Sequence, residues 1–184
     1  GYYVTVSNSD SVSLSVDGTP VGQLMAAKDT INVKTNAPLG YKLMISSSTT
    51  TLNPATSGNT SSFAAASGTI SSPAVLGTDT WGFSLTTQTT PIPANNSTVS
   101  AVPTVATQIS QNAYPTSDAG DNLDIYYAVN ATTNLTTDTY STTVTYTALA
   151  EGTTDIPTMQ EFSVSDCANL TNGSSTTLMD VRNG

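Results

Sequence analysis

The stretch DNLDIYYAVN-ATTNLTTD-TYSTTVTYTALA, residues 121–150, contains the most regular alternation of apolar and polar side chains in the chain. Apolar residues occupy every second position from Leu123 to Val129, and the same period of two recurs from Tyr140 to Ala148, with Thr142 as its one polar member. This period of two is typical of β-strands with one buried face. The short Asn/Thr/Asp-rich connection predicts that the two strands form a β-hairpin. An isolated hairpin is only marginally stable, so a second sheet must cover it.

Other parts of the chain supply further strands. The turn motif N-A-P-L-G at residues 36–40 predicts that the strands on either side of it form a second hairpin. Residues Leu24 to Lys28 are predicted as either a brief helical turn or an irregular link. The remaining alternating segments predict strands at residues 2–7, 12–16, 31–35, 41–45 and 81–85.

Two segments are predicted to be mainly loop. Residues 46–72 are rich in Ser, Thr and Ala, with one short strand around Thr69 and Ile70. Residues 88–120 contain four prolines, which favour surface loops and an edge strand drawn from Val99 to Ile109. Many short strands separated by turns predict an all-β fold, an immunoglobulin-like antiparallel β-sandwich with an extended C-terminal tail. We expect residues 1–152 to form the sandwich and residues 153–184 the tail.

Two aromatic residues are assigned structural roles. Trp81, the only tryptophan, is predicted to anchor the core rather than to form a ligand platform. Tyr140, near the start of the last long strand, stands where such sandwiches place a tyrosine corner.

Composition restricts the class of partner. The 184 residues include 13 acidic and four basic side chains, for a formal net charge of −9, which argues against nucleic acid or an anionic membrane surface as a partner. No apolar run approaches the roughly 18 residues of a transmembrane helix, so membrane insertion is not expected. The chain opens on Gly-Tyr-Tyr-Val without an initiator methionine, which suggests a processed mature chain or a recombinant product. We expect an extracellular, cell-surface protein.

Seven Asn-x-Ser/Thr sequons are compatible with a glycoprotein, although a chain so rich in Ser, Thr and Asn also produces them by chance. They begin at Asn59, Asn95, Asn96, Asn130, Asn134, Asn169 and Asn172.

The residue types of most catalytic centres are missing. The chain has no histidine, and Cys167 is its only cysteine, so it contains no triad, no paired cysteine nucleophile and no internal disulfide. We therefore predict no enzyme, no catalytic residues, no cofactor and no metal. The aspartates Asp118, Asp121 and Asp124 offer oxygen ligands that suit calcium, but their spacing also suits a solvated turn.

Three lysines suggest a covalent alternative. Extracellular β-sandwiches sometimes join a buried lysine to an asparagine by an isopeptide bond, which requires a desolvated, neutral lysine. Lys34 and Lys42 alternate with apolar residues and are expected to face outwards, whereas Lys28 is less constrained. Solvated lysines are the alternative.

The tyrosines suggest a glycan-stacking platform, with Tyr126 as the best candidate; ordinary sheet residues are the alternative. The eight are Tyr2, Tyr3, Tyr41, Tyr114, Tyr126, Tyr127, Tyr140 and Tyr146.

The C-terminal residues carry a family resemblance. The run Met159–Phe162, the spaced Cys167 and the ending Thr177–Gly184 resemble the opening of a bacterial surface module, the Fibrobacter succinogenes major paralogous domain. The preceding part is similar to the β-sandwich segments that come before this module in surface proteins of Saccharibacteria-type ultrasmall bacteria. That similarity is carried by Thr35-Asn36, Gly40–Leu43, Trp81–Phe83, Gly120–Asn122, Thr139-Tyr140 and Val144–Thr147.

The chain departs from this family where it ends. It stops at Arg182-Asn183-Gly184, where the module would continue to further cysteines, so Cys167 is left without an expected partner. A strand at Tyr2–Ser7 or at Ser175–Val181 could instead pair with a neighbouring subunit. The sequence thus predicts a surface or pilus-like filament subunit that binds copies of itself by strand donation. The alternative is an adhesin or carbohydrate-binding module with a host-cell or glycan ligand.

Overall fold

The computed structural model describes residues 1–9, 11–85, 98–153 and 173–183. Within them, no helix is long and apolar enough to cross a membrane. These residues form the strands β1 (Val4–Ser7), β2 (Ser11–Val16), β3 (Gln23–Thr35), β4 (Tyr41–Ser47), β5 (Asn53–Pro54), β6 (Ala64–Ala65), β7 (Ala74–Val75), β8 (Thr80–Leu85), β9 (Thr98–Val99), β10 (Thr107–Asn112), β11 (Asp121–Ala131), β12 (Asp138–Ala150) and β13 (Gly173–Asn183).

Two sheets form a sandwich. The first has the strand order β1-β3-β11-β8-β6, and the second has the order β10-β4-β12-β13-β2, with β5 added on β12. The strands β7 and β9 form a separate two-stranded ribbon. Neighbours are antiparallel except for two parallel pairs, β13 with β2 and β6 with β8. The protein is therefore an all-β, immunoglobulin-like β-sandwich, which confirms the predicted fold class.

The alternation of residues 121–150 predicts the buried face correctly. On β11 the side chains of Ile125, Tyr127 and Val129 are fully buried, and on β12 every second side chain from Tyr140 to Ala148 is buried. Trp81 on β8 is 1% exposed, and its indole Nε1–H donates to the carbonyl of Thr50 at 2.9 Å. The predicted role of Trp81 as a core anchor is confirmed.

The predicted hairpin of residues 121–150 is wrong in its pairing. Strand β11 pairs with β3 and β8 in the first sheet, whereas β12 pairs with β4, β13 and β5 in the second. The chain crosses from one sheet to the other between them. The alternation of apolar and polar residues shows which side of a strand is buried. It does not show whether two such strands are neighbours in one sheet or lie opposite each other in two sheets, because the same side is buried in both arrangements.

The second predicted hairpin is wrong for the same reason. The turn at residues 36–40 exists, with the Gly40 N–H donating to the carbonyl of Ala37 at 3.0 Å, but it joins β3 in the first sheet to β4 in the second. Glycine is required there because φ is 74° and a Cβ atom would lie 1.9 Å from the carbonyl oxygen of Asn112. Residues Leu24 to Lys28, predicted as a helical turn or an irregular link, are extended and belong to β3.

The loop-rich segments differ from prediction in detail. Thr69 and Ser72 form a turn by exchanging backbone hydrogen bonds, so the predicted short strand at Thr69-Ile70 is wrong. Short strands lie instead at β5, β6 and β7. The edge strand expected from Val99 to Ile109 is β10, which begins only at Thr107. Val105 lies before this strand and is 76% exposed.

Tyr140 forms the predicted tyrosine corner. Its hydroxyl donates to the carbonyl oxygen of Thr136 at 2.5 Å, four residues upstream, and accepts from Asn59 Nδ2 at 3.2 Å. Its ring meets Phe63 edge to face, with the centroids 5.3 Å apart. The corner fixes the crossing between β11 and β12.

Candidate functional site

Two of the three aspartates considered for calcium interact with protein groups. Asp121 Oδ2 accepts from Asn112 Nδ2 at 2.8 Å and from the Tyr41 hydroxyl at 3.1 Å. Asp124 accepts from Thr30 Oγ1 at 2.7 Å and lies 3.9 Å from Lys28 Nζ. In the described part of the chain, no group of three or more His, Cys, Asp or Glu side chains is placed to hold a metal ion. Asp118 lies in the turn before β11 and is exposed.

The lysines are not arranged for a crosslink. Lys28 and Lys42 form surface ion pairs with Asp124 and Glu151, and their side chains are 50% and 43% exposed. Lys34 on β3 is partly exposed. An isopeptide bond needs a desolvated lysine, and these three side chains are in contact with water.

The tyrosines do not form one surface platform. Four of them, at positions 41, 127, 140 and 146, are buried in the core. Tyr126, the favoured candidate, is only partly exposed, whereas Tyr3 and Tyr114 are 42% and 73% exposed. Glycan stacking on Tyr126 stays a prediction.

A polar cluster missed from the sequence lies between the two sheets. Asp29 on β3 is fully buried. Its carboxylate accepts from Asn8 Nδ2 at 3.1 Å and from the Ser9 backbone N–H at 3.2 Å. The Tyr146 hydroxyl interacts with this carboxylate and hydrogen-bonds to the Tyr127 hydroxyl. The cluster ties the connection between β1 and β2 to the centre of the sandwich.

Burial controls the ionisation of the two phenols. It raises the pKa of Tyr127 and of Tyr146 well above the ordinary value of 10.0, and the neighbouring Tyr127 and Asp29 raise the Tyr146 pKa further. A signal for the cluster was present in the sequence, because Asp29 is in phase with Ile31 and Val33 on the buried face of β3. It was missed because residues 24–28 were not predicted as strand.

Strand β13 occupies the most unusual position in the sandwich. It lies inside the second sheet, antiparallel to β12 from Asp138 to Ala148 and parallel to β2 from Ser11 to Val16. Met179 on β13 is fully buried, and its Cα register partners are Thr142 on one side and Val12 on the other. Among the described residues, β2 has no strand partner except β13. We call the space between β12 and β2, which β13 fills, the acceptor cleft.

The predicted tail therefore contributes to the sandwich. Residues 173–183 are a strand of its second sheet, while Cys167 and the rest of residues 154–172 lie outside the described residues. The boundary at residue 152 stays a prediction.

One apolar cavity opens on the surface. It has a volume of about 340 Å³ and is lined by Thr69, Ile70, Ser71, Ala101, Pro103 and Thr107. The described residues of its lining offer hydroxyls and aliphatic groups and include no charged side chain.

Comparisons with known proteins concern the fold. No protein-family model matches the sequence, and no curated protein matches it. Among solved structures, the chain is similar to the PapD-like domain 7 of human CEP192, with a TM-score of 0.40, 7% identity, and coverage of 98% of this chain and 85% of that chain. It is also similar to the N-terminal domain of PorA, with a TM-score of 0.33, 10% identity, and coverage of 100% and 97%.

A family 123 glycoside hydrolase from Clostridium perfringens also matches, with a TM-score of 0.35 and 9% identity. The match covers 100% of this chain but only 28% of the hydrolase. At such low identity none of these structures assigns an activity to this chain. The fold and the site define a β-sandwich module.

Proposed function

We propose that this protein is a non-enzymatic, extracellular structural subunit of a cell surface or pilus-like filament. It assembles with copies of itself by strand donation. The donor is β13 (Gly173–Asn183), and the acceptor is the cleft between β12 and β2 of the next copy. The observation that carries this proposal is the position of β13, which is hydrogen-bonded to a strand on each side.

The length of the connection supports exchange. Gly173 pairs with Ala148, so the end of β12 and the start of β13 lie side by side. A hairpin needs about two to five residues to join such strands, yet residues 151–172 separate them here. Fully extended, that segment would span roughly 70 Å at about 3.3 Å per residue, enough to reach a neighbouring domain. Strand β13 would make the same backbone hydrogen bonds in the cleft of a neighbouring copy as in its own, so moving it from one copy to the other loses few contacts.

The N-terminal strand is less suited to donation. Asn8 and Ser9, directly after β1, are bound to the buried Asp29. The Tyr3 N–H donates to Asn36 Oδ1 at 2.7 Å, and Thr35 Oγ1 donates to the Tyr3 carbonyl at 2.6 Å. Only three residues separate β1 from β2, so β1 cannot leave its own domain without pulling on β2. These contacts favour the C-terminal strand as donor.

The sequence supports a surface location. Residues 156–184 resemble the opening of a surface module, which agrees with a location at the cell surface. The chain contains no histidine, which agrees with a structural role. In this proposal, the end of that resemblance, Thr177–Asn183, is the part of the chain that neighbouring copies share.

Crosslinking tests the proposal in the full chain. In a Cys167→Ser background, one population carries Thr145→Cys on β12 and a second carries Thr176→Cys on β13, at positions that are register partners. Exchange predicts disulfide-linked pairs of the two different chains after mixing, and larger assemblies by light scattering. The matched control replaces Thr176→Cys with Ser71→Cys, a loop position, and should not crosslink. If Thr145→Cys/Thr176→Cys double variants crosslink only within one chain at every concentration, the proposal is wrong.

The second candidate is an adhesin or carbohydrate-binding module. The observation that favours it is the apolar cavity of about 340 Å³ with hydroxyl groups at Thr69, Ser71 and Thr107. Saturable glycan binding by a monomer, abolished by Ala101→Trp in the cavity wall, would support it. Binding that survives this substitution would exclude the cavity as the binding site.

A further inference from the structure

The structure distinguishes between sequons that the sequence treats as equal. Three of the seven, at Asn59, Asn130 and Asn134, lie among the described residues. An N-linked glycan is bulky and polar, so the folded protein accommodates it only where the side-chain amide faces solvent and does not hold the fold together. The three asparagines can therefore be compared by what their amides already bind.

Asn59 has no amide hydrogen to spare. Its Nδ2 donates to Asp138 Oδ2 at 2.9 Å and to the Tyr140 hydroxyl at 3.2 Å, and its Oδ1 accepts from the Ser61 N–H at 2.9 Å. A sugar on this nitrogen would break the contacts that support the tyrosine corner.

Asn130 is closed by its surroundings. It lies on β11 between two hydrogen-bonded strands, and its Nδ2 donates to the Leu76 carbonyl at 3.3 Å. Its Oδ1 is buried, and a Cβ atom added at Gly22 would lie 2.3 Å from it. No glycan fits at this position.

Asn134 differs from both. It is exposed in the connection between β11 and β12, and its side-chain amide makes no hydrogen bond to the described residues. A turn holds it in place, because the Asn134 N–H donates to Thr132 Oγ1 at 3.2 Å and the Leu135 N–H donates to the Thr132 carbonyl at 3.4 Å. Leu135 packs against the core, so the turn presents Asn134 outwards. The hydroxyl of the sequon belongs to Thr136, which is exposed as well.

We propose that Asn134 carries an N-linked glycan, transferred from a polyprenyl-pyrophosphate-linked oligosaccharide. In this step Asn134 Nδ2 forms a bond to the anomeric carbon of the first sugar, and the bond from that carbon to the pyrophosphate oxygen breaks. The amide loses one proton to a base of the transferase, and the lipid pyrophosphate is the leaving group. Asn183 of β13 pairs with Asp138, four residues from Asn134. The glycan therefore covers the end of the sandwich at which β13 ends.

The inference rests on the proposed extracellular location, because lipid-linked transfer takes place during export. The test is peptide mapping of the full chain recovered from the surface of its source cells, with electron-transfer fragmentation across residues 121–150. The expected result is a glycan mass increment on Asn134 and none on Asn59 or Asn130. Asn134→Gln and Thr136→Val should each abolish the increment. The matched control Thr133→Val, in the same turn but outside the sequon, should retain it.

Two results would overturn the inference. One is an Asn134 peptide of unmodified mass in surface-exposed protein, and the other is an increment located on Ser or Thr instead of Asn134. Surface fractionation distinguishes the two proposals. Unmodified protein at the cell surface contradicts only the glycosylation of Asn134, whereas protein absent from the surface contradicts the proposed function. Urea unfolding of Asn134→Gln should match the parent chain, since the exposed Asn134 side chain makes no hydrogen bond to the described residues.

Discussion

Replacement of the buried Asp29 by alanine is expected to lower the free energy of unfolding by about 4 kcal/mol, because three hydrogen-bond donors lose their shared acceptor. The carboxylate accepts from the Ser9 N–H and from Asn8 Nδ2, and it interacts with the Tyr146 hydroxyl. Each buried donor left without an acceptor costs about 1–3 kcal/mol. Asp29→Asn keeps an acceptor oxygen for Ser9 and should cost about 1–2 kcal/mol.

Urea denaturation followed by Trp81 fluorescence measures both changes, since this single tryptophan is buried in the folded protein. At a slope of about 2 kcal/mol per molar urea, Asp29→Ala should lower the midpoint by about 2 M. The control is Asp124→Asn. The Asp124 carboxylate is partly exposed and interacts with Thr30 and Lys28, so its loss should change the free energy of unfolding by no more than about 0.5 kcal/mol. A change below about 1 kcal/mol in Asp29→Ala would refute the assignment of Asp29 as the link between the β1–β2 connection and the core.

Three further predictions concern hydroxyl and carboxyl groups. Tyr140→Phe removes the donor to Thr136 and should cost about 1–2 kcal/mol in urea denaturation, whereas the same change at the partly exposed Tyr126 should be nearly neutral. The phenols of Tyr127 and Tyr146 stay neutral when folded but ionise near pH 10 when unfolded, so stability should fall as pH rises above about 10, by about 1.4 kcal/mol per pH unit for each phenol. Tyr127→Phe should reduce this alkaline slope, and an unchanged slope would contradict the burial of that phenol. Hydrogen bonds from Asn59 and from the Thr139 and Thr56 backbone hold the Asp138 pKa below 3.8. The ionised Asp138 therefore stabilises the folded state above that pH, and this stabilisation is lost as the pH falls through the folded-state pKa. Asp138→Asn should therefore flatten the loss of stability between about pH 5 and about pH 2, and equal acid sensitivity of the two proteins would show that Asp138 contributes nothing.

Side-chain alternation predicted burial better than it predicted pairing. The inward faces of β11 and β12 follow directly from residues 121–150, as does the tyrosine corner. The strands with which β11 and β12 pair do not follow from the sequence, because the alternation of side chains does not indicate which backbone groups are hydrogen-bonded to each other. The hydrogen bond between the Tyr127 and Tyr146 hydroxyls crosses the sandwich and shows that the two strands face each other.

The acceptor cleft was the least predictable feature. The sequence of β13, GSSTTLMDVRN, offers little apolar alternation, and its resemblance to the start of another module suggested a segment outside the sandwich. Its place is determined by backbone pairing with β12 and β2 and by the burial of Met179. The buried Asp29 was hidden for a different reason, since a charged residue in a strand is expected to face water unless the whole strand is recognised.

The pairing of β2 with β13 also sets the order of events during synthesis. Ser11 and Leu178 are register neighbours although more than 160 residues separate them in the chain. When β13 comes from the same chain, β2 cannot pair with it before it has been synthesised, and a contact of such long range is slow to form. The second sheet thus stays incomplete until the last part of the chain has been made.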